Sequence, residues 1–198
     1  MTKFTNRCSW LNNSNPQYVQ YHDFDWGVPT TDDNEHFENL TLEGAQAGLS
    51  WEIVLKKREH YRKVFHDFDL KKVVKITPKT LEKILTNPGI IRNKLKVYSV
   101  VNNAKKIIEV QSEYGQFNHY IWGYTNNKII YPNSIKNYRE TNIYKQNLSK
   151  LISMDLKKRG FKFIGPTIIY SYLQASGIFQ DHSKECFLFK KKLTAVNL

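Results

Sequence analysis

The stretch Leu42-Glu43-Gly44-Ala45-Gln46-Ala47-Gly48-Leu49-Ser50-Trp51 sets one carboxylate among small residues, just ahead of a glycine and an indole. Apolar and small residues recur at helical spacing before and through it, which predicts a helix with one packed face. Glu43 lies about 60° around that helix from Leu40, so its side chain borders the packed face. The residues of that face are Phe37, Leu40, Gly44 and Gly48.

The second half of the stretch predicts a tight corner between two helices. Gly48 is suited to the left-handed conformation that ends a helix, and Ser50 is suited to cap the next one. Glu52 then falls in the first turn of the second helix, where a negative charge suits the helix dipole. The corner is a candidate floor for a pocket that binds a flat, cationic or hydrogen-bonding ring. The alternative is a solvated glutamate beside a core tryptophan.

Composition indicates one folded unit. The 198 residues are 40% hydrophobic and 14% aromatic, which is enough for a packed interior. No apolar run approaches the roughly 20 residues that cross a bilayer. The segment Met1–Arg7 lacks the apolar core of a signal peptide, so we expect a soluble protein of the bacterial cytoplasm with no membrane partner.

The net charge points to a polyanionic partner. The chain carries 30 Lys and Arg against 18 Asp and Glu, a formal charge of +12. A field of that size favours nucleic acid. A solvated surface on a lysine-rich chain is the alternative.

The pattern along the chain predicts an all-α fold. Residues 7 to 29 look irregular and aromatic, and they need an anchor elsewhere in the molecule. The segment 125–142 is typical of a long polar loop, and no segment alternates as a strand would. Helices are predicted from Asp32 or Asp33 onward, at about 51–65, at 79–85, from about 95, at 117–124, at about 144–158 and at 166–177. Thr77 is a predicted cap for the third of these, with Pro78 at its first helical position.

Two of these helices are joined by a short turn at residues 87–93. Its Pro88-Gly89 pair is a turn signal, and Arg92 and Asn93 stand at its exit with lysines after them. Such a turn can direct backbone N–H groups at a phosphate. An ordinary helix connection is the alternative.

Four potential zinc ligands lie near the two ends of the chain. Cys8 and His22 are near the start, and His182 and Cys186 are four residues apart near the end. Two thiolates and two imidazoles form a tetrahedral zinc set, and a closed set of four is structural. Such a site would tie the aromatic N-terminal segment to the C-terminal one. Two inert buried thiols and two surface histidines are the alternative.

Taken together, these stretches resemble the DNA-3-methyladenine glycosylase I family of the helix-hairpin-helix superfamily. The resemblance runs from Cys8 to Cys186. It is carried by Cys8-Ser9-Trp10, by Tyr21 to Pro29, by Leu42 to Trp51 with Val54 to Glu59, and by Lys157 to Gly165 with His182 and Cys186.

The resemblance implies roles for three groups of residues and one cofactor. It implies a single structural Zn²⁺ bound by Cys8, His22, His182 and Cys186. It implies that Glu43 reads the damaged base in a pocket lined by Tyr21, Trp51 and Trp10, with Tyr18 and Trp26 near it. It implies DNA contacts from Gln46, Gly48, Leu49, Gly89, Arg92, Asn93 and Lys162.

The resemblance also implies an architecture and a reaction. Residues 1–186 would form one unit of two helical lobes with the pocket between them, followed by a loose basic tail at 187–198. A monomer would hydrolyse 3-methyladenine from alkylated double-stranded DNA by base flipping, without cutting the strand. The helix after the turn offers no Asp, which fits a labile cationic substrate selected by the pocket. A zinc-stapled DNA-binding module and a glycosylase that also accepts 7-methylguanine are the alternatives.

Overall fold

A computed structural model describes residues 6–189, and the fold there is built from α-helices. The helices are α1 (Pro16–Phe24), α2 (Asp33–Gln46), α3 (Trp51–Leu55), α4 (Arg58–Val64), α5 (Leu70–Val73), α6 (Pro78–Leu85), α7 (Lys94–Tyr114), α8 (Phe117–Gly123), α9 (Tyr138–Lys158) and α10 (Pro166–Ala175). A short 3₁₀ turn covers His66–Phe68. Within 6–189 the only strand-like pairing is a parallel bridge between Ile130 and Phe179, so the all-α prediction is confirmed.

Side-chain caps explain where several helices begin. Asp32 accepts hydrogen bonds from the backbone N–H groups of Asn34 and Glu35 and starts α2 at its predicted position. Thr77 caps α6 with Pro78 in the first turn, as the sequence predicts. Asn93 caps α7 by accepting from Lys96 N. Each cap satisfies an N–H group that has no partner within its own helix.

Three predicted boundaries are wrong. Residues 7–29 are not irregular throughout, because Asn15 caps α1 and Pro16 supplies its first residue. The helix predicted for 51–65 is broken between α3 and α4 at Lys56 and Lys57. The helix α9 begins at Tyr138, because Asn137 caps it by accepting from Glu140 N.

The helix α2 lies at the centre of the hydrophobic core. Phe37, Leu40 and Leu42 are almost fully buried, and α2 packs against α3, α7, α8 and α10. Burial of side chains of this size contributes about 1.5–3 kcal/mol each. Glu43 is therefore carried by one of the most constrained helices of the fold.

The two ends of the described chain meet. Phe187 N donates to the carbonyl of Asn6 at 2.8 Å, and Leu188 packs with Cys8 and Cys186. Residues 190–198, most of the predicted basic tail, lie outside the described residues. The division into two lobes and a tail stays a prediction. Across 6–189, no helix combines the length and hydropathy needed to span a membrane.

Candidate active site

A cavity of about 280 Å³ opens at the corner between α2 and α3. Pockets for drug-sized ligands span roughly 300–1,000 Å³, so this one suits a single small ring. It gathers every residue for which base recognition was predicted. Its lining consists of Trp10, Tyr18, Tyr21, Trp26, Glu43, Gln46, Trp51, Ser171, Gln174 and Asp181.

Glu43 is a buried carboxyl group without a partner. Only 5% of the residue is exposed, and no group within 6–189 forms a hydrogen bond or ion pair with its side chain. Burial alone raises the pKa of Glu43 to about 8. A carboxyl group with so high a pKa is mostly protonated at neutral pH. A cationic ligand would restore the negative charge by lowering that pKa.

Aromatic rings form the walls around Glu43. The Tyr21 and Trp51 rings lie 5.1 Å apart between centroids at an angle of 42°. The Trp10 ring lies 5.6 Å from the Tyr18 ring between centroids. It packs edge-on against the Trp26 ring, with centroids 4.9 Å apart. The indole Nε1 of Trp51 is buried and has no hydrogen-bond partner among the described residues. Flat walls and an unused donor suit a planar ring with polar edges.

The segment after Glu43 forms the exposed rim of the cavity. Gln46 lines the cavity at the end of α2, and Gly48 and Leu49 follow it on the surface. Gly48 has a φ of +79°, a conformation that L side chains rarely adopt, which confirms the predicted helix end. Ser50 stands at the N-cap of α3 but makes no side-chain cap bond, which the prediction had assigned to it. Leu49 is 39% exposed and lies in the chain between the cavity residues Gln46 and Trp51.

The turn from α6 to α7 is closed mostly by its own residues. Asn87 Oδ1 accepts from Gly89 N at 2.7 Å, and Tyr61 OH accepts from Ile91 N at 3.3 Å. A Cβ at Gly89 would clash with the His60 ring, so any side chain at this position would require His60 to move. The Asn93 side chain is engaged in capping α7. Among the residues predicted to contact DNA here, Arg92 keeps an exposed side chain.

Two lysines connect this turn to the cavity corner. Lys96, in the first turn of α7, donates to the carbonyls of Ala45 and Ala47 at 2.9 and 2.6 Å. Lys57, between α3 and α4, donates to the carbonyl of Pro88 at 2.6 Å. These lysines therefore bind backbone carbonyls of the protein itself.

Lys162 lies on a loop that packs on α2. Its backbone exchanges hydrogen bonds with the Asn103 side chain at 2.9 Å, while the lysine side chain is exposed. A Cβ at Gly44 would lie 3.3 Å from Phe163, the next residue of this loop. The loop thus sits on the helix that carries Glu43.

The four predicted metal ligands come together at the buried junction of the chain ends. One ligand atom from each of Cys8, His22, His182 and Cys186 lies within 4.8 Å of all the others. Cys8 Sγ lies 3.4 Å from His182 Nδ1. Cys186 Sγ lies 3.6 Å from His22 Nε2 and 3.6 Å from His182 Nδ1. A tetrahedral zinc with Zn–S of about 2.3 Å and Zn–N of about 2.0 Å has S···N edges of about 3.5 Å. The cluster can therefore hold a metal ion.

The surroundings of the cluster also suit a metal. His22 Nδ1 lies 2.8 Å from Asp23 Oδ1, which leaves its Nε2 for the cluster. Asp23 is held in turn by Arg7. Burial raises the pKa of the Cys8 thiol to about 11, and a bound cation would offset that cost by stabilising the thiolate.

The metal cluster and the base cavity share walls. Trp10 lies 5.3 Å from the His22 ring, and Trp26 meets the His182 ring edge-on at 4.8 Å. Both tryptophans also line the cavity. A movement of His22 or His182 would therefore displace these tryptophans and change the shape of the cavity.

Three cavity residues were missed by the sequence analysis. Ser171 and Gln174 lie one turn apart on α10, and Asp181 precedes the metal-cluster residue His182. The sequence of α10 is mainly apolar, which favours a core helix. The polar pair at a spacing of three was the available signal.

Comparisons with known proteins show the family to which the chain belongs. The family model for methyladenine glycosylase matches residues 10–189. A DNA-3-methyladenine glycosylase from Haemophilus influenzae is 42% identical over 182 residues, covering 92% of this chain and 97% of the relative.

Solved structures give the same result. A crystal structure of 3-methyladenine DNA glycosylase I superimposes with a TM-score of 0.83 at 39% identity, covering 92% of this chain and 98% of the other. A tyrosine-to-phenylalanine variant of 3-methyladenine DNA glycosylase I in complex with 3-methyladenine superimposes with a TM-score of 0.78 at 33% identity, covering 88% and 92%. The chain therefore belongs to the methyladenine glycosylase family and is a glycosylase of the hydrolase class.

Proposed function

We propose that this protein hydrolyses the N-glycosidic bond of 3-methyladenine in alkylated double-stranded DNA and releases the free base. The observation that carries the proposal is the unpartnered carboxyl group of Glu43, buried in an aromatic cavity that fits one small ring. The family of the chain gives the reaction class, and the cavity gives the kind of base.

The chemistry follows from the charge of the substrate. Methylation at N3 makes adenine cationic and a good leaving group, so the bond needs little acid catalysis. Inside a duplex the bond is out of reach, and the nucleotide must rotate into the cavity. Glu43 then loses its proton, accepts hydrogen bonds from the adenine edge and balances the positive charge. Stacking on Trp51 adds a cation–π contribution.

The surface around the cavity is suited to hold the flipped-out state. Leu49, exposed between the cavity residues Gln46 and Trp51 in the chain, is proposed to fill the gap left in the duplex, and Gly48 is proposed to let the backbone approach. Arg92 and Lys162 are proposed to contact phosphates. The turn at 87–93, with Gly89 and Asn93, is proposed to act as the hairpin of a helix-hairpin-helix element, although its N–H groups are largely used internally.

We propose a monofunctional reaction that leaves an abasic site. A strand-cutting glycosylase of the lysine type needs an amine that attacks the sugar. The residues that line the cavity include no lysine. Water is therefore the expected nucleophile.

We further propose that Cys8, His22, His182 and Cys186 bind one structural zinc ion. Four protein ligands complete a tetrahedron and leave no open position, so the ion would contribute order and no reaction step. The protein is proposed to act as a monomer in the bacterial cytosol, where chromosomal DNA is available. No role is assigned to a membrane.

The test measures base release from methylated duplex DNA. Unsubstituted protein should release 3-methyladenine, and Glu43→Gln should be slower by about 100-fold, since it keeps the shape but cannot balance a cation. Glu59→Gln is the matched control, because Glu59 is a helical glutamate whose side chain is 69% exposed. Wild-type activity in Glu43→Gln, or no release by the unsubstituted protein, would contradict the proposal.

The same reaction tests the alternatives. A labelled strand should stay intact until alkali cleaves the abasic site, and a cut without alkali would exclude a monofunctional reaction. A DNA-binding module without chemistry would release nothing. A broader enzyme would release 7-methylguanine from the same DNA at a comparable rate.

A further inference from the structure

The helix α10 presents an amide of fixed orientation to the base cavity. Gln174 lines the cavity one turn after Ser171. Its Nε2 donates to Asp181 Oδ2 at 2.9 Å. Because a carboxylate accepts hydrogen bonds and cannot donate them, this contact decides which end of the amide is nitrogen.

Asp181 is itself held in place from behind. Its Oδ1 forms an ion pair with the ammonium of Lys145, a residue of α9 with no exposed surface. Tyr170 OH donates to its Oδ2 at 3.3 Å. A fully buried lysine is tolerated only with a partner, so the pair fixes the carboxylate strongly. The chain Lys145–Asp181–Gln174 thus runs from the protein interior to the cavity wall.

These contacts leave Gln174 Oε1 as a hydrogen-bond acceptor without a donor from the described residues. Within residues 6–189, no donor reaches Gln174 Oε1, and this atom is not among the buried polar atoms that lack a partner. It therefore has accessible surface, and Gln174 lines both the base cavity and a neighbouring cavity of about 510 Å³. An orientation enforced by Asp181 and Lys145 prevents the amide from turning to offer its NH₂ group instead.

We propose that Gln174 is a specificity-determining residue that selects purine cations with a 6-amino group and rejects those with a 6-oxo group. The inference rests on the proposed function and narrows its substrate class. An exocyclic amino group carries two hydrogens, enough for Gln174 Oε1 and Glu43 together. A carbonyl in that position would face acceptors with nothing to donate, which is costly in a desolvated site. The cavity therefore favours 3-methyladenine over 3-methylguanine.

The test compares both bases released from one sample of methylated duplex DNA. The ratio of initial rates does not depend on how much of a variant is folded. Gln174→Met keeps the length of the side chain and removes the acceptor. We expect the ratio of 3-methyladenine to 3-methylguanine release to fall by about tenfold, the effect of roughly one hydrogen bond.

Gln116→Met is the matched control for this ratio. It makes the same change at an exposed glutamine that caps no helix with its side chain and does not line the base cavity. The ratio should stay at the unsubstituted value. An unchanged ratio in Gln174→Met, with unsubstituted protein active, would overturn this inference alone. Release of neither base by unsubstituted protein would overturn the proposed function and this inference with it.

Discussion

Glu43 costs the folded protein stability so long as the cavity is empty. Its pKa is raised from 4.5 to about 8 by burial, with no compensating hydrogen bond or cation in the described structure. The folded state therefore holds this proton more tightly than the unfolded state does. Functional sites commonly keep a group that is unfavourable for stability because binding needs it.

The pKa of Glu43 sets a direction for the pH dependence of stability. The contribution of this group is most favourable below about pH 4.5, declines as pH rises toward 8 and is least favourable above that. The full difference is about 5 kcal/mol. Glu43→Gln is neutral at every pH, so it should melt higher than the unsubstituted protein near pH 8.5, by roughly 5 °C or more, and by little near pH 5.

Thermal unfolding at the two pH values measures this difference. Glu59→Gln should show no such pH-dependent gain, because the side chain of Glu59 is mostly exposed. A Glu43→Gln protein that melts at or below the unsubstituted protein near pH 8.5 would show that Glu43 is already ionised and paired when the cavity is empty.

At the scale of helices, Lys57 and Lys96 connect the turn between α6 and α7 to the cavity corner. Lys96 donates hydrogen bonds to carbonyls at the end of α2, the helix that carries Glu43. Lys57, which follows the helix α3 that carries Trp51, donates to a carbonyl of the turn. Both lysines satisfy helix-end or turn carbonyls, as cations near a helix C-terminus do. Their expected task is positioning: a shift of the turn on DNA is passed to both sides of the cavity.

Two substitutions distinguish a lysine that positions the cavity corner from a cation that binds phosphate. Lys96→Met should lower the excision rate by about tenfold, because a misplaced corner weakens the near-attack geometry. It should leave the salt dependence of DNA binding unchanged. Arg92→Met should reduce the slope of log affinity against log salt by about 0.9.

The measurement is the affinity for a duplex with a stable abasic analogue over a range of salt concentrations, together with single-turnover excision. A reduced salt slope in Lys96→Met, with an unchanged excision rate, would assign Lys96 to a phosphate and refute its positioning role. A slope unchanged in Arg92→Met would remove that residue from the DNA contact.

Local signals predicted the helical elements better than the contacts between them. Asp32 and Thr77 cap helices where the sequence placed the caps, since a cap depends on only a few neighbouring residues. The destinations of Lys57 and Lys96 could not be predicted, because their carbonyl partners are 31 to 51 residues away. By charge alone both lysines resemble phosphate ligands.

For the whole molecule, the cavity depends on two segments that are far apart in the chain. Trp10 and Trp26 come from the N-terminal segment, and Gln174 and Asp181 come from the C-terminal one. The residue types at Cys8, His22, His182 and Cys186 predicted the junction, because they form a chemically complete ligand set. Gln174 and Asp181 could not be predicted in the same way, since an amide and a carboxylate on a helical chain are usually solvated.

The metal cluster should therefore control base binding from outside the cavity. Unsubstituted protein should contain one zinc ion per chain, and chelation should lower its melting temperature, since ion binding contributes to folding. Chelation should also weaken the binding of 3-methyladenine, followed by tryptophan fluorescence, because Trp10 and Trp26 pack on the rings of His22 and His182.

Cys8→Ser protein should already show the low melting temperature and the weak base binding, and chelator should change neither further. Full zinc content in Cys8→Ser would refute the site. Zinc loss that lowers the melting temperature but leaves base binding intact would show that the cavity keeps its shape without the metal junction.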